Sequence, residues 1–437
     1  MSPNLCYRER PGELLAMHYA WIVLGASALV MLVGSGLRAV FGVFITPIEG
    51  EFHWDRVSLS GVAALSILLS GALSPFAGWL ADRWGPRRVI MVACVILAAG
   101  CLWASRVESL WQMYAAAGVL LGVGAAGVGM PPAAALAARW FESRRGLVFG
   151  LFGAASSAGQ LILIPLTVWI TIQFGWRTSY VVLGVALIAI SLPAVLLLVR
   201  DSPADKGLRP YRTGTDAGLA GRSGPAVRIP LTEAAQVPSF WLLCATFFVC
   251  GYTSVGLIQT HLAPHAAHHG FTPMQAANAL GILGAMNIVG TLASGWCCDR
   301  FGAKPPLAFS YALRGASLIF LLYVESASAF YIFAVIFGLN WISTVPATTA
   351  LTARIFGAAS VGTLSGWILF AHQVGAALGA AAGGWIFEAT GTYTWAFISA
   401  AGLAFVAMGL ALAIRDEPIE KTPAARPARL EAPASAT

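Results

Sequence analysis

Twelve apolar stretches, with charged residues inside only at Arg38 and Arg314 and otherwise at their ends, run through this 437-residue chain. A bilayer-crossing helix needs about 20 consecutive apolar residues. The stretches fall near 19–45, 57–80, 88–105, 110–138, 147–172 and 177–199, then near 239–263, 275–297, 305–323, 328–353, 361–387 and 392–414. Hydrocarbon offers backbone N–H and C=O groups no water, so each stretch must satisfy its own hydrogen bonds, which predicts an all-α membrane protein. Composition points the same way. Hydrophobic residues make up 58% of the chain and charged residues 10%, against about 45–50% and about 25% in a soluble domain, which excludes a soluble globular enzyme. The first stretch is too long for a signal-peptide core and has no small-residue cleavage site after it, so it is expected to remain as a helix.

The stretches form two groups of six. This divides the chain into an N-terminal segment (1–18), a six-helix bundle (19–199), a linker rich in Gly, Pro and Arg (200–238), a second six-helix bundle (239–415) and a Pro/Ala-rich tail (416–437) that is expected to be disordered. Lys and Arg resist translocation and collect in cytoplasmic loops. With the N-terminus inside, 21 of the 26 Lys and Arg residues are cytoplasmic, three (Arg56, Arg106, Arg177) are outside, and two (Arg38, Arg314) lie within spans. Both termini are therefore expected in the cytoplasm, with the chain in the inner membrane as a monomer. The net charge of +7 is scattered between spans rather than arranged in a stripe, so no nucleic-acid partner is expected. The seven cysteines lie mostly in apolar runs, without the paired spacing of a disulfide or zinc framework, and read as small core residues.

The two halves repeat a pattern after their second spans. The first copy runs Gly78-Trp79-Leu80-Ala81-Asp82-Arg83-Trp84-Gly85-Pro86-Arg87-Arg88, and the second runs Gly295-Trp296-Cys297-Cys298-Asp299-Arg300-Phe301-Gly302. Duplication of a six-span unit points to a transporter built from two related bundles. Each Asp, at a helix end, is expected to pair with loop arginines and to latch the bundles in one state. A plain basic loop that only sets topology explains one copy better than two in register.

These residues resemble the loop motif of the major facilitator superfamily, over roughly residues 18–415. The resemblance implies twelve helices in two pseudo-symmetric bundles, with Gly78, Asp82, Arg83, Gly85, Arg87, Arg88, Asp299 and Arg300 in gating roles. Arg139-Trp140-Phe141-Glu142-Ser143-Arg144-Arg145-Gly146, running into Gly150, Gly153 and Gly159, resembles the monocarboxylate porter and oxalate/formate exchanger group, and adds Arg144 and Arg145 to the gate. Thr344-Val345-Pro346, Arg354-Ile355-Phe356-Gly357 and His372-Gln373-Val374-Gly375 resemble a bacterial branch related to that group. The chain departs from these families in three places. The eighth-span Gly-Arg pair of monocarboxylate porters is replaced by Asn287-Ile288-Val289-Gly290-Thr291. Gly118 holds the place of the fourth-span Arg of drug antiporters, and the fifth span lacks the Gly-Pro-x-x-Gly-Gly antiporter pattern.

No acidic residue lies at the middle of a span, which leaves Arg38, Arg314 and His372 as the ionisable groups inside. An Arg at the bilayer centre costs about 2.5–3.5 kcal/mol on insertion scales and faces a bundle interior or a wet cavity. Without a carboxylate mate it points to an anionic ligand, because its planar fork suits a carboxylate. Arg38, on the first span, reads as a substrate contact or as a snorkelling side chain. Arg314 reads as a ligand or as a helix-packing residue. His372 reads as the proton-coupling group or as a hydrogen-bonded interior histidine. Gln160, Asn287 and Asn340 either complete a polar site or bond neighbouring helices. Gly375, Gly379 and Gly383 form a close-packing stripe that could slide during alternation.

Other motifs are discounted. Gly122-Val123-Gly124-Ala125-Ala126-Gly127 fits a dinucleotide fingerprint but lies inside an apolar run with no preceding strand. His261, His265, His268 and His269 share a helical face with no Cys or carboxylate, so a polar interface is favoured over a metal or a pH sensor. No cofactor, metal or ATP is expected. The expectation is a secondary transporter that moves a small organic anion, a monocarboxylate in the simplest case, by alternating access with proton symport or anion exchange. The alternatives are efflux of drugs or hydrophobic metabolites and, from another class, a membrane-embedded sensor or enzyme.

Overall fold

In the computed structural model, the described residues are 11–212 and 228–419; the expected disorder of the tail falls largely on residues outside them. Twelve long helices follow one another: α1 (Tyr19–Phe52), α2 (Ser58–Trp84), α3 (Pro86–Ala104), α4 (Leu110–Trp140), α5 (Arg145–Phe174), α6 (Trp176–Leu198), α7 (Pro238–His268), α8 (Met274–Phe301), α9 (Lys304–Leu321), α10 (Ala327–Phe356), α11 (Ala358–Thr390) and α12 (Thr394–Ala413). Eleven of them are long and apolar enough to cross a membrane. The remaining one, α9, carries Lys304, two prolines and Arg314 in its 18 residues, and these dilute its hydropathy.

The helix ends follow local chemistry. Asp55, Thr272 and Ser326 accept hydrogen bonds from the first turns of α2, α8 and α10, satisfying N–H groups that have no partner within the helix. Gly85 and Gly302, the matching glycines of the repeat, end α2 and α8 at φ of 99° and 82°, a backbone region that side chains disfavour. The repeated glycine is thus a turn requirement met twice.

From the sequence, α1, α4 and α10 are each expected as one run, α4 kinked at Pro131 and Pro132 and α10 at Pro346, whereas all three are interrupted. A turn at Val40 divides α1, which continues to Phe52 rather than ending near 45. The α-helical part of α4 stops at Gly127 and restarts at Met130, with Pro131 and Pro132 in the first turn after the break. In α10 the helix stops at Asn340 and restarts at Thr344, just before Pro346. Proline cannot donate a helical hydrogen bond, but it is tolerated at the start of a helix. Periodicity reports apolarity and is blind to a single lost turn.

Two seams join the bundles. On one seam α5 packs on α8, where a Cβ on Gly146 would lie 2.4 Å from the Gly295 carbonyl. On the other, α2 packs on α11. Small residues at these crossings let the backbones approach closely. The stripe of Gly375 and Gly379 abuts the backbone of Phe248 and Tyr252 on α7, so it closes a contact within the second bundle rather than between bundles.

Gly290 tests this packing without involving either seam. A Cβ there would lie 1.9 Å from the Leu339 carbonyl of α10, in the same bundle, whereas Gly284 on the same helix has nothing within 4 Å. Gly290→Ala is expected to cost about 1–3 kcal/mol of stability, and Gly284→Ala nothing. Thermal unfolding of the two purified variants measures the difference.

Candidate functional site

The two intramembrane arginines occupy opposite environments. Gly34 of α1 faces Val128 of α4, Ser35 and Gly36 face Ser156 and Gly159 of α5, and Phe44 meets Tyr180 of α6. Arg38 stands on the flank left between α4 and α5, with exposed Gly42 and Thr46 one and two turns further on. Because α2 packs on α11 and α5 on α8, that flank looks into the space between the bundles. The Arg38 side chain is exposed and takes part in none of the described ion pairs. It also borders a cavity of about 40 Å³ with Ser66 and Ile67 of α2 and Ala117 of α4, room for about one water.

One turn away lies a polar cluster. The Ser35 and Ser156 hydroxyls are 2.7 Å apart, and Gln160 Nε2 donates to Ser35 Oγ at 3.4 Å. Sequence reasoning found Gln160 but missed both serines, which stand out only once α1 and α5 are brought together. Arg38 and this cluster together offer a cation, hydroxyls and an amide on one side of the central space.

Arg314 is 0% exposed. Its Nη2 donates to the Asn340 and Trp341 carbonyls, both at 2.6 Å, while Nε donates to Asn340 Oδ1 at 3.3 Å and Nη1 to Thr253 Oγ1 at 3.2 Å. Those two carbonyls are the ones set free where α10 breaks. Other side chains complete the break. Ile342 N donates to Asn287 Oδ1 at 2.9 Å, and Ser294 Oγ donates to the Ser343 carbonyl at 2.6 Å. Asn287 Nδ2 also donates to Ser157 Oγ of α5, across the seam between bundles. The structure therefore brings Arg314, Asn340 and Asn287 into one network around a broken helix and separates them from Arg38. Asn340, Ser343 and Thr344, close ahead of Pro346, are the sequence signal for the break.

His372 is half-buried on α11. Its Nδ1 donates to Gln373 Oε1 at 3.1 Å, its ring lies 4.9 Å from that of Phe247, and Cys250 is a close neighbour. Among the outer histidines, His261 Nε2 donates to the Ala380 carbonyl at 2.9 Å and the His265 and His269 rings lie 4.2 Å apart. Among the described residues, no group of three His, Cys, Asp or Glu is arranged to hold a metal.

The repeated aspartates act differently from the expected Asp–Arg pairing. Asp82 accepts from Gly362 N at 3.1 Å, Thr363 N at 2.6 Å and Thr363 Oγ1 at 2.7 Å, at the start of α11. Asp299 accepts from Gly146 N and Leu147 N, both at 2.8 Å, at the start of α5. Each carboxylate thus caps a helix of the opposite bundle, where orphan N–H groups and the helix dipole both favour an anion. The arginines serve carbonyls and rings instead. Arg87 donates to the Leu196 carbonyl at 2.7 Å, Arg145 to those of Phe141 and Ala138, and Arg83 lies over the Trp79 ring at 5.2 Å. Arg144 adopts a left-handed backbone (φ 59°) beside Asp299, and Arg88 and Arg300 are exposed.

The sequence profile of the Major Facilitator Superfamily matches residues 26–380 and 265–436. An uncharacterized MFS-type transporter, YcxA of Bacillus subtilis (strain 168), is 27% identical over 385 residues, covering 85% of this chain and 90% of its own. Monocarboxylate transporter 13 of Rattus norvegicus is 26% identical over 405 residues, covering 91% and 89%. Among solved structures, the proton:xylose symporter XylE superposes with a TM-score of 0.70 at 15% identity, covering 90% of this chain and 95% of its own. FucP in an outward conformation gives 0.68 at 13%, covering 90% and 98%. At such identities the structural likeness concerns the fold alone.

The contrast between the arginines is measurable as stability. Arg314→Met strips partners from two buried carbonyls, each costing about 1–3 kcal/mol when left unmet, so a loss of at least about 2 kcal/mol is expected. Arg38→Gln, at an exposed position, is expected to leave thermal unfolding in detergent unchanged.

Proposed function

Because this chain belongs to the major facilitator superfamily, a family of transporters and not of enzymes, we propose that it is a secondary transporter whose cargo is a small organic anion, most simply a monocarboxylate. The observation that carries this reading is Arg38, exposed on the flank of α1 that faces the other bundle and outside every described ion pair. A carboxylate can meet its guanidinium with two parallel hydrogen bonds. Ser35, Ser156 and Gln160, one turn along, supply further polar contacts. The monocarboxylate transporters among the relatives support the same substrate class.

In this reading the bundles rock about the space beside Arg38, with Asp82 and Asp299 as two latches on one face. We assign that face to the cytoplasm, on the distribution of Lys and Arg in the loops, so the arrangement is the outward-facing stage of the cycle in an inner membrane. Arg314, Asn287 and Asn340 hold α10 in shape rather than touching cargo, a division supported by the complete burial of Arg314. His372 is the candidate proton carrier, and exchange against a second anion is the other mode of coupling.

Uptake of radiolabelled lactate, pyruvate and oxalate into proteoliposomes tests the assignment. Losing a charge-assisted hydrogen bond, worth about 1.5–3 kcal/mol, predicts a fall of about tenfold or more in apparent affinity for Arg38→Gln, with partial recovery in Arg38→Lys. Unchanged transport by Arg38→Gln removes this residue from the site. Coupling is read in the same vesicles. If His372 carries the proton, an inward proton gradient stimulates wild-type uptake and not that of His372→Gln. If exchange operates, preloaded anion replaces the gradient.

A further inference from the structure

A cleft of about 840 Å³ opens where the α2–α11 seam meets the end of the linker, within the about 300–1,000 Å³ range of small-molecule sites. Phe76 and Trp79 of α2, Trp367 and Phe370 of α11, and Arg228 and Pro230 of the linker form its walls. It lies on the outer flank of the seam. Gly78 and Gly362 meet at the seam itself, and Ser70, Ser74 and Ala77 are buried inward, whereas Phe76 is 54% and Trp367 38% exposed. The cleft therefore faces the bilayer at the depth where α2 ends, with tryptophans of the kind enriched at a membrane interface.

Its charge is as informative as its apolarity. Arg228 is exposed, lies close enough to Asp82 to feel its charge, and yet is in none of the described ion pairs. The Asp82 oxygens are already taken by the first turn of α11, so Asp82 leaves the Arg228 charge open to another anion. Arg83, one turn beyond Trp79, adds a second cation on the same face. An apolar aromatic slot on the outer flank of the seam, with the Arg228 guanidinium in its wall and Arg83 over the adjacent Trp79 ring, matches a molecule with an acyl chain and an anionic phosphodiester.

We infer that this cleft binds one anionic glycerophospholipid, its phosphate on Arg228 and Arg83 and an acyl chain between Trp79 and Trp367. The walls come from both bundles, so the lipid touches α2 on one side and α11 with the linker on the other.

Native mass spectrometry of the full-length protein, delipidated and titrated with phosphatidylglycerol or phosphatidylcholine, tests the assignment. One phosphatidylglycerol is expected to bind more tightly than phosphatidylcholine. Arg228→Gln is expected to weaken phosphatidylglycerol by about fivefold, the factor for one basic residue at an anionic surface, and to leave phosphatidylcholine unchanged. Arg228→Lys recovers most of the loss, and Trp367→Ala weakens both lipids. Equal binding of the two lipids by wild type, or unchanged phosphatidylglycerol binding by Arg228→Gln, overturns the inference. Displacement of the lipid by inorganic phosphate also overturns it, in favour of a soluble anion. Arg228 and Trp367 are exposed, and matching thermal unfolding of each variant with wild type verifies that binding alone has changed.

Discussion

The absence of water from hydrocarbon governs this molecule more than any other single constraint. A helix can cross a bilayer because it pairs its own backbone groups, and any interruption must borrow partners from elsewhere in the protein. At the centre of α10 the borrowed partners are Arg314, Asn287 and Ser294, which between them meet three carbonyls and one N–H. The buried guanidinium in turn has its hydrogen bonds taken up by Asn340, Trp341 and Thr253, with the Tyr311 and Phe337 rings within 6 Å. Neither partner fits the membrane alone. A carboxylate mate is unnecessary because oriented carbonyl dipoles and ring faces take its place.

The same constraint shapes the gates. The first N–H groups of α5 and α11 have no partner in their own helices, and each finds one in an aspartate of the other bundle. When the seam opens, these donors and carboxylates move to the aqueous face, where water replaces the partners. In the proposed alternating cycle, closure is therefore inexpensive to reverse, because a helix-terminal anion contributes about 0.3–2 kcal/mol. An equivalent break of contact at α10, in hydrocarbon, has no such replacement. The aspartate caps lie at the ends of the helices and the polar network around Arg314 lies within the spans.

Much of the architecture was legible in the chain because apolar run length is a direct consequence of bilayer thickness. The duplicated Gly-Trp and Asp-Arg pattern points to the two-bundle design for a related reason, since Gly85 and Gly302 each end a helix at positive φ. What escaped notice was anything that depends on which helix faces which. Arg38 and Arg314 look alike as single cations in apolar runs, yet one is exposed and the other completely buried. Ser35 and Ser156 are unremarkable until α1 meets α5. The pattern singles out Asp82 and Asp299, but the partners it suggests are arginines, whereas the carboxylates accept from helix-start N–H groups. Loop arginines adjoin the aspartates in sequence, whereas the helix starts that bind them lie 280 and 153 residues away.

The separation of the two arginines also explains why a carrier of this design tolerates a cation at its centre without an acid beside it. Burial makes an unpaired charge expensive, and Arg314 avoids that cost through fixed hydrogen bonds that leave no donor prominent for a solute. Arg38 differs in having an exposed side chain on the flank of α1 that faces the space between the bundles. In the proposed site an anion binds at Arg38, whereas backbone carbonyls are already seated on Arg314. On the proposed reading an exposed arginine is suited to bind and release a cargo, and an arginine held by four hydrogen bonds is suited to hold a helix in shape. The distinction rests on accessibility rather than on charge, so two residues of the same type serve opposite ends in one fold.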